Sequence, residues 1–136
     1  MSVFILDSNI VSFYIRQEHN IVRKVNEVIS AGHEVVISPI AYYEVKRGLQ
    51  AIKAEKRLKE FLALCNVLGV GQLDNSILDI SSDIYCELRA KKQPIEDADI
   101  LAAAFCIRHG FTLVTHNTKH FSSISGLNYC NWVSSI

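Results

Sequence analysis

Four consecutive apolar residues, Val3-Phe4-Ile5-Leu6, stop at a carboxylate, Asp7, and Ser8-Asn9 then open a helix-like pattern. The run reads as a buried strand, and a carboxylate at the end of one costs free energy unless something uses its charge. Glu44, Asp97, Asp99 and the amide Asn117 hold similar places, each at an element boundary beside sequence apolar enough for core. Acids that converge on one edge of a sheet imply a divalent-metal site and, with it, phosphate chemistry.

At 136 residues, 49% of them hydrophobic, the chain can bury a real core, and we expect one domain over residues 1–136. Basic and acidic residues balance at 14 each, so there is no general electrostatic hold on nucleic acid and any such contact must be local. Cys65, Cys86, Cys106 and Cys130 are far apart, form no CxxC pair and mostly lie among apolar residues, as buried thiols do in a reducing compartment. The first apolar run is short, has no basic lead and is interrupted by Asp7, which argues against a signal peptide or a membrane span. The expectation is a cytoplasmic protein with no membrane attachment.

Along the chain, strands are expected at residues 3–6, 34–37, 111–115 and 127–130, with a short one broken by Gly69 and Gly71 within 67–73. Ser8 or Asn9 should cap a helix through Arg16, and a second helix covers 20–31 before Gly32. Ser38-Pro39 is a strong helix start, because Ser accepts a capping hydrogen bond and Pro suits the first turn; that helix carries Glu44 until Gly48 weakens it. Leu58, Phe61, Leu62 and Cys65 recur at helical spacing within 51–66, and Ile77, Ile80, Ile84 and Leu88 mark the next helix, which ends at Gln93-Pro94. From Ile100 to Ile107 the sequence is apolar nearly all round, which calls for a helix buried in the middle of the molecule. Strands alternating with helices imply an α/β fold with a parallel sheet.

In such a sheet, ligands gather outside the carboxyl ends of the strands. Asp7 ends the first strand, Asn117 follows the strand at 111–115, and Asp97 and Asp99 open the buried helix, whose dipole favours ionised carboxylates. Singly, each acid has a plainer role: Asp7 as a helix cap, Glu44 as a solvated residue, Asp97 and Asp99 as ordinary first-turn acids. Together they favour a site for Mg²⁺ or Mn²⁺, hard ions that take oxygen ligands and keep several waters.

The segments Val3-Phe4-Ile5-Leu6-Asp7-Ser8-Asn9, Ser38-Pro39-Ile40-Ala41-Tyr42-Tyr43-Glu44 with Gly48, Pro94-Ile95-Glu96-Asp97-Ala98-Asp99-Ile100-Leu101-Ala102-Ala103, and Leu113-Val114-Thr115-His116-Asn117-Thr118-Lys119-His120-Phe121, then Gly126-Leu127 and Trp132, resemble in order a PIN-domain ribonuclease of the VapC toxin type. That resemblance implies a three-layer α/β/α domain with a central, mostly parallel sheet. It also implies Mg²⁺- or Mn²⁺-dependent cleavage of RNA, homodimerisation, and inhibition by a small VapB-like antitoxin. Asp7, Glu44 and Asp99 match the family's first three acids, Ser8 and Asn9 its support for the first acid, and Thr115 the residue that shapes the last loop. Asn117 stands where the fullest pattern has a fourth acid, and Asp97 ranks behind Asp99 because residues two apart on a helix face differently. Asp7 and Asp99, with Glu44 directly or through water, would hold one metal that activates water for in-line attack on the RNA, leaving a 5′-phosphate and a 3′-hydroxyl.

Other features have plainer readings. His116 and His120 lack the glutamate of a zinc-protease motif and read as structural or capping residues. Lys46 and Arg47 serve equally well as RNA-phosphate contacts or as a solvated face, while Arg89, Lys91 and Lys92 read as surface charges more readily than as an RNA guide. A catalytically weak PIN-like module for binding nucleic acid or protein is the alternative function. A phosphatase of the haloacid dehalogenase type ranks low, since Asn9 replaces the second aspartate it needs, and the acids alone leave DNA open as a substrate.

Overall fold

The computed structural model describes residues 1–133, so the last three residues of the expected 1–136 span lie outside the described residues. In chain order the elements are β1 (Val3–Leu6), α1 (Ser8–Ile15), α2 (His19–Ser30), β2 (Glu34–Ile37), α3 (Pro39–Ala51) and α4 (Glu55–Leu68). There follow α5 (Asn75–Ala90), α6 (Asp97–His109), β3 (Thr112–Val114), α7 (Thr118–Phe121) and β4 (Asn128–Cys130). The strands form one parallel sheet in the order β2-β1-β3-β4, which places β1 in the interior with Phe4, Ile5 and Leu6 paired on both sides.

Because side chains alternate along a strand, each face of this sheet builds its own core. Leu6, Val35, Ile37 and Val114 pack against α1, α2, α3 and α4. Ile5 and Leu113 point the other way, onto Ile84 and Leu88 of α5, Ala103 and Cys106 of α6, and Phe121 of α7. The three layers of an α/β/α arrangement follow. Six residues of α6, Ile100 and the run from Ala102 to Cys106, are buried, as its apolar sequence requires.

The departures from the sequence reading have local causes. Asp7, rather than Ser8 or Asn9, occupies the cap position of α1, and both polar residues lie in the first turn. Gly48 leaves α3 intact to Ala51, and α4 starts at Glu55 instead of 51 because Lys53 adopts a left-handed φ of 56° that turns the chain. Only Val70 of the expected strand at 67–73 pairs, bridging Ile37, since α4 runs to Leu68 and Gly69 caps it at φ 88°. Cys86 is exposed on α5, unlike the buried Cys65 and Cys106. The stretch 118–121, to which the sequence assigns no element, winds into α7 around the buried Phe121.

Candidate active site

β1, β2 and β3 all end at one edge of the sheet, and α6, which runs back along it, brings its first turn to the same edge. The backbone fixes Asp7 there: its N–H donates to the carbonyl of Val114 (2.9 Å), and the Ser38 N–H donates to the carbonyl of Leu6 (3.1 Å). Ser38 caps α3, its Oγ accepting from the amides of Ile40 (3.2 Å) and Ala41 (3.4 Å), so α3 leaves the edge at a set angle and carries Glu44 in its second turn.

The Asp7 side chain is only 5% exposed. Its Oδ2 accepts from the hydroxyl of the fully buried Thr115 at 2.8 Å. Among the described residues no Lys, Arg or His lies within ion-pair distance of it. Burial therefore pushes its pKa above the ordinary aspartate value; the Thr115 hydroxyl and the Ser8 amide oppose this, and the charges of Asp99 and Glu44 reinforce it. Cys106, beneath it on α6, is raised first by burial and then by the negative charge of Asp7.

Asp99 and Glu44 thus lie within electrostatic reach of Asp7. Asp97 does not belong to that group: it is exposed and lines a groove with Leu78, Ser81, Tyr85 and Leu101, on the side of α6 that meets α5. An offset of two residues on a helix is about 200°, which separates it from Asp99. Asn117 sits at the start of α7, where its N–H donates to Thr115 Oγ1 (3.1 Å) and its carbonyl accepts from the His120 N–H (3.0 Å). Asn9 Oδ1 accepts from the His116 amide (3.4 Å), tying the loop after β3 to α1. Ser8 and Asn9 join Ser12, Glu44, Gly48 and Leu49 in lining a groove of about 330 Å³.

Of the two basic candidates, Arg47 is exposed, 4.0 Å from Glu44, with its guanidinium 4.9 Å from the Tyr43 ring centroid. Lys46 instead turns to Tyr42, its Nζ 3.4 Å from the phenol oxygen. His120 is the residue that sequence reasoning missed. Its Nδ1 is 2.9 Å from Asp99 Oδ2, although it reads in the sequence as a structural or capping residue.

The donor set suits a hard divalent ion: carboxylate oxygens, partly desolvated, with Asp7 at its centre lacking a basic partner among the described residues. Among the described residues no three His, Cys, Asp or Glu side chains are close enough to enclose an ion unaided. Water and phosphate oxygens would complete the shell, as Mg²⁺ prefers. No described helix is long and apolar enough to cross a membrane.

Comparison with known proteins agrees with this geometry. The chain is 26% identical to the ribonuclease VapC2 of Rickettsia felis, over 96% of its own length and 98% of the relative. It is 33% identical to the ribonuclease VapC1 of Methanocaldococcus jannaschii, over 65% of its length and 62% of that protein. In structure it superposes on a chain of the DNA-bound VapBC complex of Salmonella typhimurium with a TM-score of 0.86 at 26% identity, covering 97% of this chain and 99% of that one. The profile of the PIN domain matches residues 4–127, and with the acids gathered at the sheet edge between those limits, the chain belongs to the PIN domain family.

Proposed function

We propose that this protein is a metal-dependent endoribonuclease of the VapC type, the toxin of a type II toxin–antitoxin pair, whose partner is a small VapB-like antitoxin. The observation that carries the reading is Asp7: a buried carboxylate with no cation in ion-pair reach among the described residues, in the field of Asp99 and Glu44, in a chain similar over nearly its whole length to VapC ribonucleases. An uncompensated buried charge of this kind persists where function requires it.

Asp7 and Asp99 are the residues that would hold Mg²⁺ or Mn²⁺, with Glu44 joining directly or through water. When bound, such an ion activates the attacking water and offsets the negative charge that develops on the scissile phosphate. The protein's own part is to fix and charge the acids. Thr115 orients the Asp7 carboxylate and favours its ionised form, and the first turn of α6 carries Asp99 to the same sheet edge. Asn9 holds the loop that carries Thr115 and Asn117, and Ser8 places an amide beside Asp7. Asn117 supplies an amide oxygen without charge, which favours one tightly held ion over two. Arg47, exposed beside Glu44, is placed to meet the RNA backbone, with Lys46 one residue before it on the same helix. We assign the active form as a cytoplasmic homodimer.

The test is incubation of purified protein with RNA in Mg²⁺, Mn²⁺ or EDTA, with sequencing of the new ends. Cleavage that needs the ion, leaves 5′-phosphate and 3′-hydroxyl ends and disappears in Asp7→Asn and Asp99→Asn supports the reading. The same cuts made by Asp7→Asn or in EDTA would overturn it.

A further inference from the structure

Asp7 and Asp99 lie 92 positions apart in the chain, yet a run of hydrogen bonds joins them through residues 115–120. The Thr115 hydroxyl donates to Asp7 Oδ2 (2.8 Å), and the same oxygen accepts from the Asn117 N–H (3.1 Å). The Asn117 carbonyl accepts from the His120 N–H (3.0 Å), and the His120 ring reaches Asp99 Oδ2 (2.9 Å). Both ends of this bracket are anchored. Thr115 and Phe121 are fully buried, and the Thr115 N–H donates to the carbonyl of Cys130 (3.0 Å).

We propose that His120 is a positioning residue for the site: it fixes the Asp99 carboxylate, and with it the separation between Asp99 and Asp7 that a divalent ion must span. An ionised carboxylate only accepts, so Nδ1 is the protonated nitrogen in this contact. The bond engages Oδ2 and leaves Oδ1 to ligate, the arrangement by which outer partners orient carboxylate ligands. An alternative role for the ring in folding alone is disfavoured by its exposure, 52% at the side chain, since it contributes little to the core. The proposal rests on the reading of Asp99 as an ion ligand.

The test is titration of Mn²⁺ into the RNA-free protein, followed by the paramagnetic resonance of free Mn²⁺, for wild type, Asp99→Asn, and His120→Ala, His120→Asn and His120→Gln. Outer-shell loss typically weakens metal affinity by about 10- to 100-fold, and His120→Ala is expected in that range with an unchanged melting temperature. Asparagine places its N–H near the position of Nδ1 and should restore binding to within about threefold, on the same scale. Glutamine extends past that position and should stay as weak as alanine. Should alanine unsettle α7, the asparagine and glutamine pair carries the comparison alone. Wild-type affinity in His120→Ala and His120→Gln, or equal loss in His120→Ala and His120→Asn, overturns the assignment. Unaltered Mn²⁺ binding by Asp99→Asn overturns the ligand reading beneath it, a separate failure.

Discussion

The Thr115 hydroxyl donates to Asp7 Oδ2 at 2.8 Å across 108 positions of sequence, and the same oxygen accepts from the Asn117 amide. One fully buried oxygen therefore orients the first acid and sets the course of the loop that leaves β3. Thr115→Val keeps the shape and removes both bonds. Unmaking hydrogen bonds to a buried carboxylate and a part-buried amide costs about 1–3 kcal/mol, visible in urea unfolding. Cleavage of RNA should fall by about 10- to 100-fold, the usual loss when a ligand's supporting contact goes, while Thr115→Ser retains most of it. A valine enzyme as active as wild type would remove Thr115 from the site.

Asp7→Asn separates function from stability. The buried charge opposes folding and, on the proposed function, would serve the chemistry, so replacing it with a neutral amide of the same shape should raise the melting temperature while RNA cleavage drops by about a hundredfold or more. Each kcal/mol gained corresponds to about 4 °C in a chain of this size. A lower melting temperature in the variant would show that the carboxylate is held by more than the contacts named above.

The contrast between what was legible in the sequence and what was not follows from the range of the interactions. The strand Val3–Leu6, the Ser38-Pro39 start of α3 and the buried α6 rest on periodicity and capping within a few residues, and the structure has each of them. The helical offset between Asp97 and Asp99 was equally local, and the two do face apart. His120 was not legible, because its meeting with Asp99 depends on a one-turn helix anchored by Phe121, and a four-residue helix leaves no periodic signal. Lys53 likewise takes a left-handed backbone that its side chain does not announce, which is why α3 and α4 are divided later than expected.

Divalent ions should stabilise the protein by mass action. A ligand that binds only the folded state adds about 2.7 kcal/mol when its concentration is a hundred times its dissociation constant. Raising Mn²⁺ in a thermal melt should therefore raise the midpoint progressively in wild type, and EDTA should return it to the starting value. The effect should vanish in Asp99→Asn and persist in Asp97→Asn, whose carboxylate lies on the other side of α6. A matching loss in Asp97→Asn would restore Asp97 to the site.

Gly71 passes close to the helix that carries Asp99, against the ring of Phe105. A Cβ added there would overlap the ring of Phe105, which is 3% exposed and has no room to retreat. The backbone cannot withdraw easily either, since the Gly71 N–H donates to the carbonyl of Ile37 at 3.0 Å. Gly71→Ala should cost about 1–3 kcal/mol by overpacking. In a Phe105→Leu background the same change should cost less, and a double-mutant cycle in urea checks it; equal costs in both backgrounds would locate the strain elsewhere.

Asp7 and Asp74 should respond to acid in opposite directions. Asp74 caps α5, accepting from the Ser76 hydroxyl (2.6 Å) and the Ile77 amide (3.1 Å), and these bonds hold its pKa below the ordinary value. Its stabilisation is present above the unfolded-state pKa, about 4, and is lost as pH falls through the folded value. For Asp7 the folded pKa is raised, chiefly by burial, so its contribution is greatest below that same unfolded pKa and is lost as pH rises through the folded one. Melts of Asp7→Asn, Asp74→Asn and wild type in EDTA should therefore diverge near neutral pH, with the first variant above wild type and the second below. The Asp7 difference should close by about pH 4, the unfolded-state value, and the Asp74 difference only below it, as pH falls through the depressed folded pKa. The sign of the Asp7 difference is the informative one: an Asp7→Asn protein that melts below wild type near neutral pH and meets it in acid would mean that the carboxylate is stabilised in the fold, and the strained, ion-seeking charge at the end of β1 would have to be abandoned.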